Sequence, residues 1–387
     1  STGRDGDSFK NGDIVEMVFS EGDVKWIPIR VRKDKMTPNH FDVASNIWKI
    51  YFNPVSQEIL KGEKEIPDIE DEEDAYYNQV SVTNRNLARK ESGLRIFHCY
   101  VKGLLLENAF NNLPSNQRIL LDLACGKGGD LKRYLDYGAS GVIGIDNSVD
   151  NLHNPIDGAY RRLWKLNVDN KNKIIFMAGD VSKSLQERST FIKPYDRMSE
   201  TEIFMNKPYF DVASVFFAFH YFCKDEATLS TFLDNVSHTV KRGGYFIGCC
   251  YDGSVVFNKL KDKDSVSFKS NNMEMLRIEK KYNDHNDELL PSDKSSLGKT
   301  IRVMVQSIGT EHEEYLVNFE YIKKEMAKRG FIEISTKSFE AYYLENTRFK
   351  YTMSYEEQEA SFLNRTFIFK RDDNQLMKKA VLKKLKT

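Results

Sequence analysis

The stretch over residues 119–130, Ile-Leu-Leu-Asp-Leu-Ala-Cys-Gly-Lys-Gly-Gly-Asp, constrains this chain more than any other. Four apolar residues and one acid read as a short buried strand ending at Ala124. Gly126, Gly128 and Gly129 then make a tight turn, and Asp130 begins a helix that continues through Leu131 and Leu135. Glycine is needed where the backbone takes positive φ or comes close to a ligand. A dinucleotide fold uses such a turn for a pyrophosphate, with the spacing Gly-x-Gly-x-x-Gly. The spacing here is Gly126-x-Gly128-Gly129, with Asp122 inside the strand. A second apolar run, 141–145, ends at Asp146, and an acid at that strand tip can accept both hydroxyls of a ribose. A glycine turn followed by this Asp suits a nucleoside without a pyrophosphate. The bland alternative is a turn that only packs a helix on a sheet.

Strand and helix signals alternate around this stretch. Strands are expected near 118–124, 141–146, 174–178, 210–215 and 245–249, the pattern of a doubly wound, mainly parallel sheet. Residues 331–339 and 365–369 read as two last strands, antiparallel to each other. Asp180 ends the third strand and can accept an adenine amine, with the N–H of Val181 against the ring. Phe216, Phe217, His220 and Tyr221 lie just beyond the carboxyl end of the fourth strand, where open α/β sheets bind ligands. Residues 86–110 read as a helix, with Leu94, Phe97, Val101, Leu104 and Leu105 at helical spacing. Lys102 on that helix reads, by itself, as a solvated lysine. Residues 252–300 are polar and poorly periodic, and read as a partly mobile insertion. Residues 317–328 read as an amphipathic helix, and 378–386 as a basic tail. Upstream, 14–19 and 26–32 read as two strands with Arg30 and Arg32 on one face, since strand side chains alternate. The acidic run at 70–74 reads as solvated linker.

Composition narrows the classes. The 387 residues are 40% hydrophobic and 12% aromatic, enough for a large core. Lys plus Arg and Asp plus Glu both number 57, so only a local basic patch could favour nucleic acid. Five cysteines without Cys-x-x-Cys spacing suggest reduced thiols and no zinc site, hence a cytosolic or nuclear setting. No apolar run approaches the roughly 18 residues of a membrane span. The first residue is serine, which fits a piece of a longer protein.

Three places together resemble the mRNA cap guanine-N7 methyltransferases: residues 121–131 with their Lys-Gly-Gly-Asp continuation, Phe217-x-x-His220-Tyr221, and residues 313–319, Glu-Glu-Tyr-Leu-Val-x-Phe. The piece Trp26-x-Pro28-x-Arg30-x-Arg32-x-Asp34-Lys35-x-x-Pro38-Asn39 resembles the last motif of mRNA guanylyltransferases. In that family its basic residues contact the nucleotide's phosphates; the family's Lys-x-Asp-Gly nucleophile motif is absent here. The order of the two resembles the fused capping enzymes of large cytoplasmic DNA viruses, of the poxvirus and asfarvirus kind.

The resemblance implies an α/β fold of the class I S-adenosylmethionine-dependent methyltransferase type, Rossmann-like, with a seven-stranded mainly parallel sheet and helices on both faces. It implies residues 1–45 as the remnant of a guanylyltransferase OB-fold, 46–84 as a linker and 85–387 as the methyltransferase domain. S-adenosylmethionine would be held by Lys102, Ala124, Gly126, Asp146, Asp180, Val181, Phe216 and Tyr221. The cap would be held by Lys127, Arg133 and Arg161 at the triphosphate, Phe217 behind the guanine, and His220 and Glu314 at its edge. Glu313 is the alternative to Glu314. Asn364 aligns with a late cap-contacting tyrosine, for which Phe362 or Tyr355 could substitute. Other departures are Ala124 for a glycine, acceptable if φ is negative, His98-Cys99 for two asparagines, and Phe216 for a glutamine. The implied partners are capped mRNA, upstream capping domains of the same polypeptide and a stimulatory subunit in some relatives. The implied location is the host cytoplasm, with packaging in the virion. No acid–base residue and no metal are required, because guanine N7 carries a free lone pair. Rival readings are a class I methyltransferase for another substrate, a non-catalytic RNA-binding scaffold, and a dehydrogenase, which the glycine spacing disfavours.

Overall fold

A computed structural model describes residues 6, 8–20, 25–35, 93–115, 118–166, 173–193, 201–205, 208–270, 273–283, 288–305, 311–349 and 352–372. The chain divides into two compact units, Ser1–Glu70 and Asp71–Thr387. The acidic run, the whole of the expected linker and the basic tail lie outside the described residues.

In the first unit, β1 (Val15–Ser20) and β2 (Lys25–Val31) pair antiparallel. The register shifts beside Met17, which faces Pro28, a residue with no N–H for the ladder. Period-two alternation brings Arg30 and Arg32 to one acid, Glu16, at 3.0 and 3.4 Å. Arg32 also pairs with Asp34 at 2.7 Å, which holds that carboxyl well below the usual range. The two arginines expected at phosphates are thus engaged by carboxylates here. Such exposed pairs contribute little to stability.

The first described element of the second unit is α1 (Gly93–Asn111), whose Phe97, Val101 and Leu105 recur every four residues and are fully buried. Then follow β3 (Ile119–Leu123), α2 (Leu131–Asp136), β4 (Gly141–Asp146), α3 (Val149–His153), α4 (Ala159–Lys165), β5 (Ile174–Ala178), α5 (Glu202–Met205), β6 (Phe210–Phe216), α6 (Glu226–Thr239) and β7 (Val240–Tyr251). After α7 (Gly253–Lys259) come β8 (Ser265–Ser270), β9 (Met273–Lys280), β10 (Thr300–Val305) and β11 (Glu311–Tyr315). The chain returns through α8 (Phe319–Lys328), β12 (Phe331–Ser338), α9 (Phe339–Glu345), α10 (Tyr355–Ser361) and β13 (Asn364–Arg371).

The main sheet has seven strands in the order β12-β13-β7-β6-β3-β4-β5. Every neighbouring pair from β7 to β5 is parallel, and β13 alone runs against the rest. Its strands are apolar on both faces because helices cover both. In β3, Leu120 packs with Leu105, Leu106 and Phe110 of α1, while Leu121 and Leu123 face the Phe232 and Leu233 side of α6. Each such side chain contributes roughly 2 kcal/mol by leaving water. Chain order turns back between β3 and β6, so a crevice opens beyond their carboxyl ends. All the strand-tip residues singled out above stand at that edge.

The polar region 252–300, read as an insertion between sheet elements, does lie between β7 and β12 and carries regular structure that its sequence did not show. This region forms α7 and an antiparallel sheet in the order β11-β10-β9-β8, extending to Tyr315. Its helical or strand period is hard to read because only one side of the sheet is apolar and long turns interrupt it. Leu276, Ile278, Ile301 and Val303 pack against Val256 and Phe257 of α7 and Leu260 just after it. The late helix begins at Phe319 rather than Val317, because Asn318 caps it by accepting from the Tyr321 N–H at 3.0 Å.

Candidate active site

The glycine turn is closed by short backbone bonds, from Cys125 N–H to the Ile145 carbonyl and from Gly128 N–H to the Cys125 carbonyl, each 3.0 Å. Gly126 and Gly128 have φ of 54° and 70°, the left-handed region that only glycine adopts without cost. Ala124 has φ 61° as well. The condition of negative φ is therefore not met, and the Cβ of Ala124 is strained where a glycine would be relaxed. Ala124→Gly should raise stability by about 1 kcal/mol, after the entropy that glycine adds to the unfolded chain. The thermal midpoint would rise by a few degrees; an unchanged or lower midpoint would contradict the strain.

Asp146 is 6% exposed at the tip of β4. One carboxylate oxygen accepts the Gly126 N–H at 2.8 Å. The other accepts from the Ser148 N–H and the Asn151 amide, both at 3.0 Å. The acid therefore locks the turn to the neighbouring strand and still has acceptor capacity facing the crevice. Asp180 stands two residues beyond β5, whose Ala178 is level with Asp146, and is fixed by the Ser182 N–H and hydroxyl at 3.0 and 2.6 Å. Those bonds hold its pKa down against partial burial. Val181 is buried beside it. Two carboxyl groups at adjacent strand tips and an open left-handed turn fit an adenosine and its methionine tail, so the donor set suits S-adenosylmethionine.

Lys102 is buried, contrary to the solvated reading. Its ammonium straddles both oxygens of Asp130 at 2.6 and 2.8 Å and stands 5.6 and 5.7 Å from the Phe216 and Phe217 ring centres. Arg133, one helical turn on, pairs with the same carboxylate. Sequence reasoning makes Asp130 only a helix start; the signal for more is its place as the last residue of Lys-Gly-Gly-Asp. Lys127 is paired with Asp157 at 2.5 Å. Arg161 lies across a groove from Arg133. Below, Asp122 accepts from Ser214 at 3.1 Å, and burial pushes its carboxyl up to about 7.

Phe216 ends β6 and stacks toward Tyr134, centroids 6.4 Å apart. Phe217 follows with φ 56°, its N–H donating to the Cys249 carbonyl at 2.7 Å. A bulky aromatic residue in that region is strained, and such strain gathers at functional sites. The ring lies nearly parallel to His98 at 5.3 Å, and the far nitrogen of His98 meets the Ser361 hydroxyl at 2.9 Å. Sequence reasoning marks His98 only as a departure; its partner is 263 residues away. Desolvation, with Lys102 nearby, depresses His98 to about 3. Its neutral form thus stabilises the fold above pH 6.5, and that contribution is lost as pH falls from 6.5 toward 3. Replacing it by phenylalanine keeps a stacked ring without a titrating group. We expect the stability of His98→Phe relative to the parent chain to improve between pH 7 and 5 by about 2 kcal/mol, read from thermal midpoints. A pH-independent difference would refute the assignment.

His220 and Glu314 meet from the 3-10 turn after β6 and from β11, 3.6 Å apart and both buried. This is too long for a hydrogen bond. Both nitrogens of His220 and one oxygen of Glu314 have no hydrogen-bond partner among the described residues. Burial, with His312 nearby, depresses His220 to about 3, and burial raises Glu314 to about 8. The pair is thus two neutral, unsatisfied polar groups near pH 7, not a salt bridge. Glu313 points the other way along the strand and is exposed. Tyr221 is 45% exposed with its ring against His220 at 4.2 Å.

Asn364 is not brought to this cluster as a free contact. It is buried at the start of β13, donating to the Ser361 carbonyl at 3.0 Å, with its own oxygen unpaired. Of its alternatives, Phe362 packs on Tyr343 and Tyr355 is 70% exposed.

Residues 62–366 match the family described as mRNA (guanine-N(7))-methyltransferase domain, and residues 4–61 match the mRNA capping enzyme C-terminal domain. The chain is 26% identical over 373 residues to the "Probable mRNA-capping enzyme" of Acanthamoeba polyphaga mimivirus, covering 86% of this chain and 31% of that protein. It is 30% identical over 200 residues to the mRNA cap guanine-N(7) methyltransferase of Caenorhabditis elegans, covering 50% and 48%. The chain thus spans from under a third to about half the length of these relatives. Among solved structures, an S-adenosylmethionine-dependent methyltransferase of Clostridium acetobutylicum aligns at TM-score 0.44 and 16% identity, over 71% of this chain and 92% of that one. By its sequence over 62–366, the chain belongs to the mRNA (guanine-N(7))-methyltransferase domain family, preceded by a capping-enzyme C-terminal domain.

Proposed function

We propose that this chain transfers the methyl group of S-adenosylmethionine to N7 of the terminal guanosine of GpppN-capped mRNA, the last step of cap 0 formation. The observation that carries this reading is the buried, unsatisfied pair of Glu314 and His220, the latter three residues after the strained Phe217. Unpaired buried polar atoms cost stability unless a ligand satisfies them. A guanine offers what they lack: N1–H and amino donors for the Glu314 carboxylate, and an acceptor for an imidazole N–H.

Bound S-adenosylmethionine supplies a methyl group on a positively charged sulfur, already a strong electrophile. The chain's residues then have only to align. Asp146 holds the ribose and Asp180 the adenine. Lys102, shared with Asp130, neutralises the methionine carboxylate. Phe217 and Glu314 fix the ring so that N7 faces the methyl. Reacting atoms held about 3–3.5 Å apart gain most of the rate advantage from orientation alone. No proton has to move at N7, so His220, neutral in the site, binds the ring edge and is not a base. Lys127, Arg133 and Arg161 lie where the triphosphate would run, and the carboxylates now paired with the first two would yield to phosphate.

The same reading makes capped mRNA the substrate partner and upstream guanylyltransferase and triphosphatase domains neighbours on one polypeptide. It makes 1–45 the end of an OB-fold, 46–84 a linker and 85–387 the methyltransferase, with a stimulatory subunit as a further partner. All five cysteines are free thiols, which suits a reducing compartment, the host cytoplasm, with packaging in the virion as a corollary. Fractionation of infected cells and purified particles tests the location. Labelled S-adenosylmethionine with GpppA tests the activity: label mapped to guanine N7 supports it, while label elsewhere or none overturns it.

A further inference from the structure

The crevice does not end at the cap site. A groove of about 390 Å³ leads away from Gly128 and Gly129 between α1, α2 and α4. Six cations line it: Arg95 from α1, Lys132 and Arg133 from α2, and Arg161, Arg162 and Lys165 from α4. Among the described residues two carboxylates share the walls, and both are engaged, Asp136 with Lys132 at 2.8 Å and Asp157 with Lys127 at 2.5 Å. The chain as a whole is neutral, so this concentration of positive charge is local. Side-chain contacts tie its wall to the residues proposed for the guanine. Phe217 lies against Lys102, Lys102 against Asp130, and Asp130 against Arg133, which forms the groove wall.

One aromatic stands within this charge, and a second is on the helix that carries three of the cations. Tyr137 lines the groove and is 36% exposed, its hydroxyl end seated on α1 where Gly103 has no Cβ to block it. Trp164, three residues after Arg161 on α4, is 57% exposed. Large exposed aromatics beside a cationic groove are the elements that bind single-stranded nucleic acid, the cations tracking phosphates and the rings stacking on bases. In a duplex the bases are stacked on one another and unavailable to such rings, so an unpaired strand is the occupant.

The geometry points to this groove as the track for the RNA chain that follows the cap. Arg133 and Arg161 take the triphosphate at its entrance, and Arg95, Trp164 and Lys165 hold the first nucleotides beyond. The inference rests on the cap reading for its direction and on the groove's own chemistry for its ligand. Its contacts are to phosphates and base faces, so the track is indifferent to sequence. It makes capped RNA a better substrate than a cap dinucleotide and makes that preference salt-sensitive.

The test is a triple variant, Arg95→Ala, Trp164→Ala and Lys165→Ala, with Lys165→Glu as a single, exposed companion. None of these residues belongs to the cap or cofactor assignments. With a capped RNA of about ten nucleotides, KM should rise about tenfold or more while kcat holds, and KM for GpppA should stay within about twofold. The dependence of log KM on log salt should flatten by about 0.7 for each phosphate interaction removed. Anisotropy of a labelled, uncapped oligonucleotide reads the groove without the reaction. If the parent chain binds it and the variants lose about tenfold in affinity, the track stands. If the parent and variants bind alike, or the parent shows equal KM for GpppA and capped RNA, the track is overturned. If the parent binds the oligonucleotide but methylates neither substrate, the cap reading falls while the groove's ligand stands.

Discussion

Glu314→Gln is expected to lower kcat/KM for GpppA by about three orders of magnitude, because a site built to pair a ring edge discriminates steeply when one partner fails. The carboxylate can accept from N1–H and from the amino group at once; a glutamine presents one acceptor and one donor, and the donor would face a donor. The surroundings amplify the loss. Glu314 is buried, and its unpaired oxygen lies 3.6 Å from a His220 that burial keeps neutral, so no protein group takes over. The same burial predicts a pH profile. In the free chain Glu314 titrates at about 8, whereas guanine requires the ionised form. Below pH 8 binding has to expel a proton, so kcat/KM should climb about tenfold per unit up to about pH 8 and then level off. Glu314→Gln should lack that limb. In the absence of ligand the sign for folding is opposite: the raised pKa stabilises the protonated native chain below about pH 4.5, and this is lost as pH rises to 8. Steady-state kinetics from pH 6 to 9 decide the matter, and a flat profile in the parent chain would remove Glu314 from the site.

Asp146→Ala should weaken S-adenosylmethionine binding by about a hundredfold or more, since it removes a buried charged acceptor and the group that shapes the turn. The Gly126 N–H at 2.8 Å and the Asn151 amide at 3.0 Å both lose their partner. With the Ser148 N–H, also at 3.0 Å, three donors left unpaired would also lower stability, by about 2–3 kcal/mol. Calorimetric titration with S-adenosylmethionine, beside a thermal melt, separates the two effects. A dissociation constant within about threefold of the parent value, far below what a lost charge-assisted bond costs, would mean that the crevice holds something other than a nucleoside.

How much of the fold and site is legible in the sequence differs by element. The strand, glycine turn and acid at 119–146 depend on local rules: apolar runs buried on both faces, and glycines at φ 54° and 70°. The antiparallel end of the sheet is legible too, and β12 and β13 fall within a few residues of their expected limits. The four-stranded sheet after α7 is not, because one-sided strands with charged outer faces look like loop. Lys102 reads as solvated for a related reason: the amphipathic pattern places it on a helix but cannot supply Asp130, 28 residues later, whose charge offsets the cost of its burial.

By itself, then, the sequence determined the class of fold and the list of acids, aromatics and cations at the strand tips, since periodicity and turn chemistry act over a few residues. Only the tertiary structure decided which of them meet. It placed His98 under Phe217 through Ser361 and gave Ala124 a left-handed backbone. It chose Glu314 over Glu313 for burial beside His220 and lined α2 and α4 into one basic groove. Those outcomes depend on contacts between segments tens to hundreds of residues apart, where burial sets protonation and packing overrides local preference.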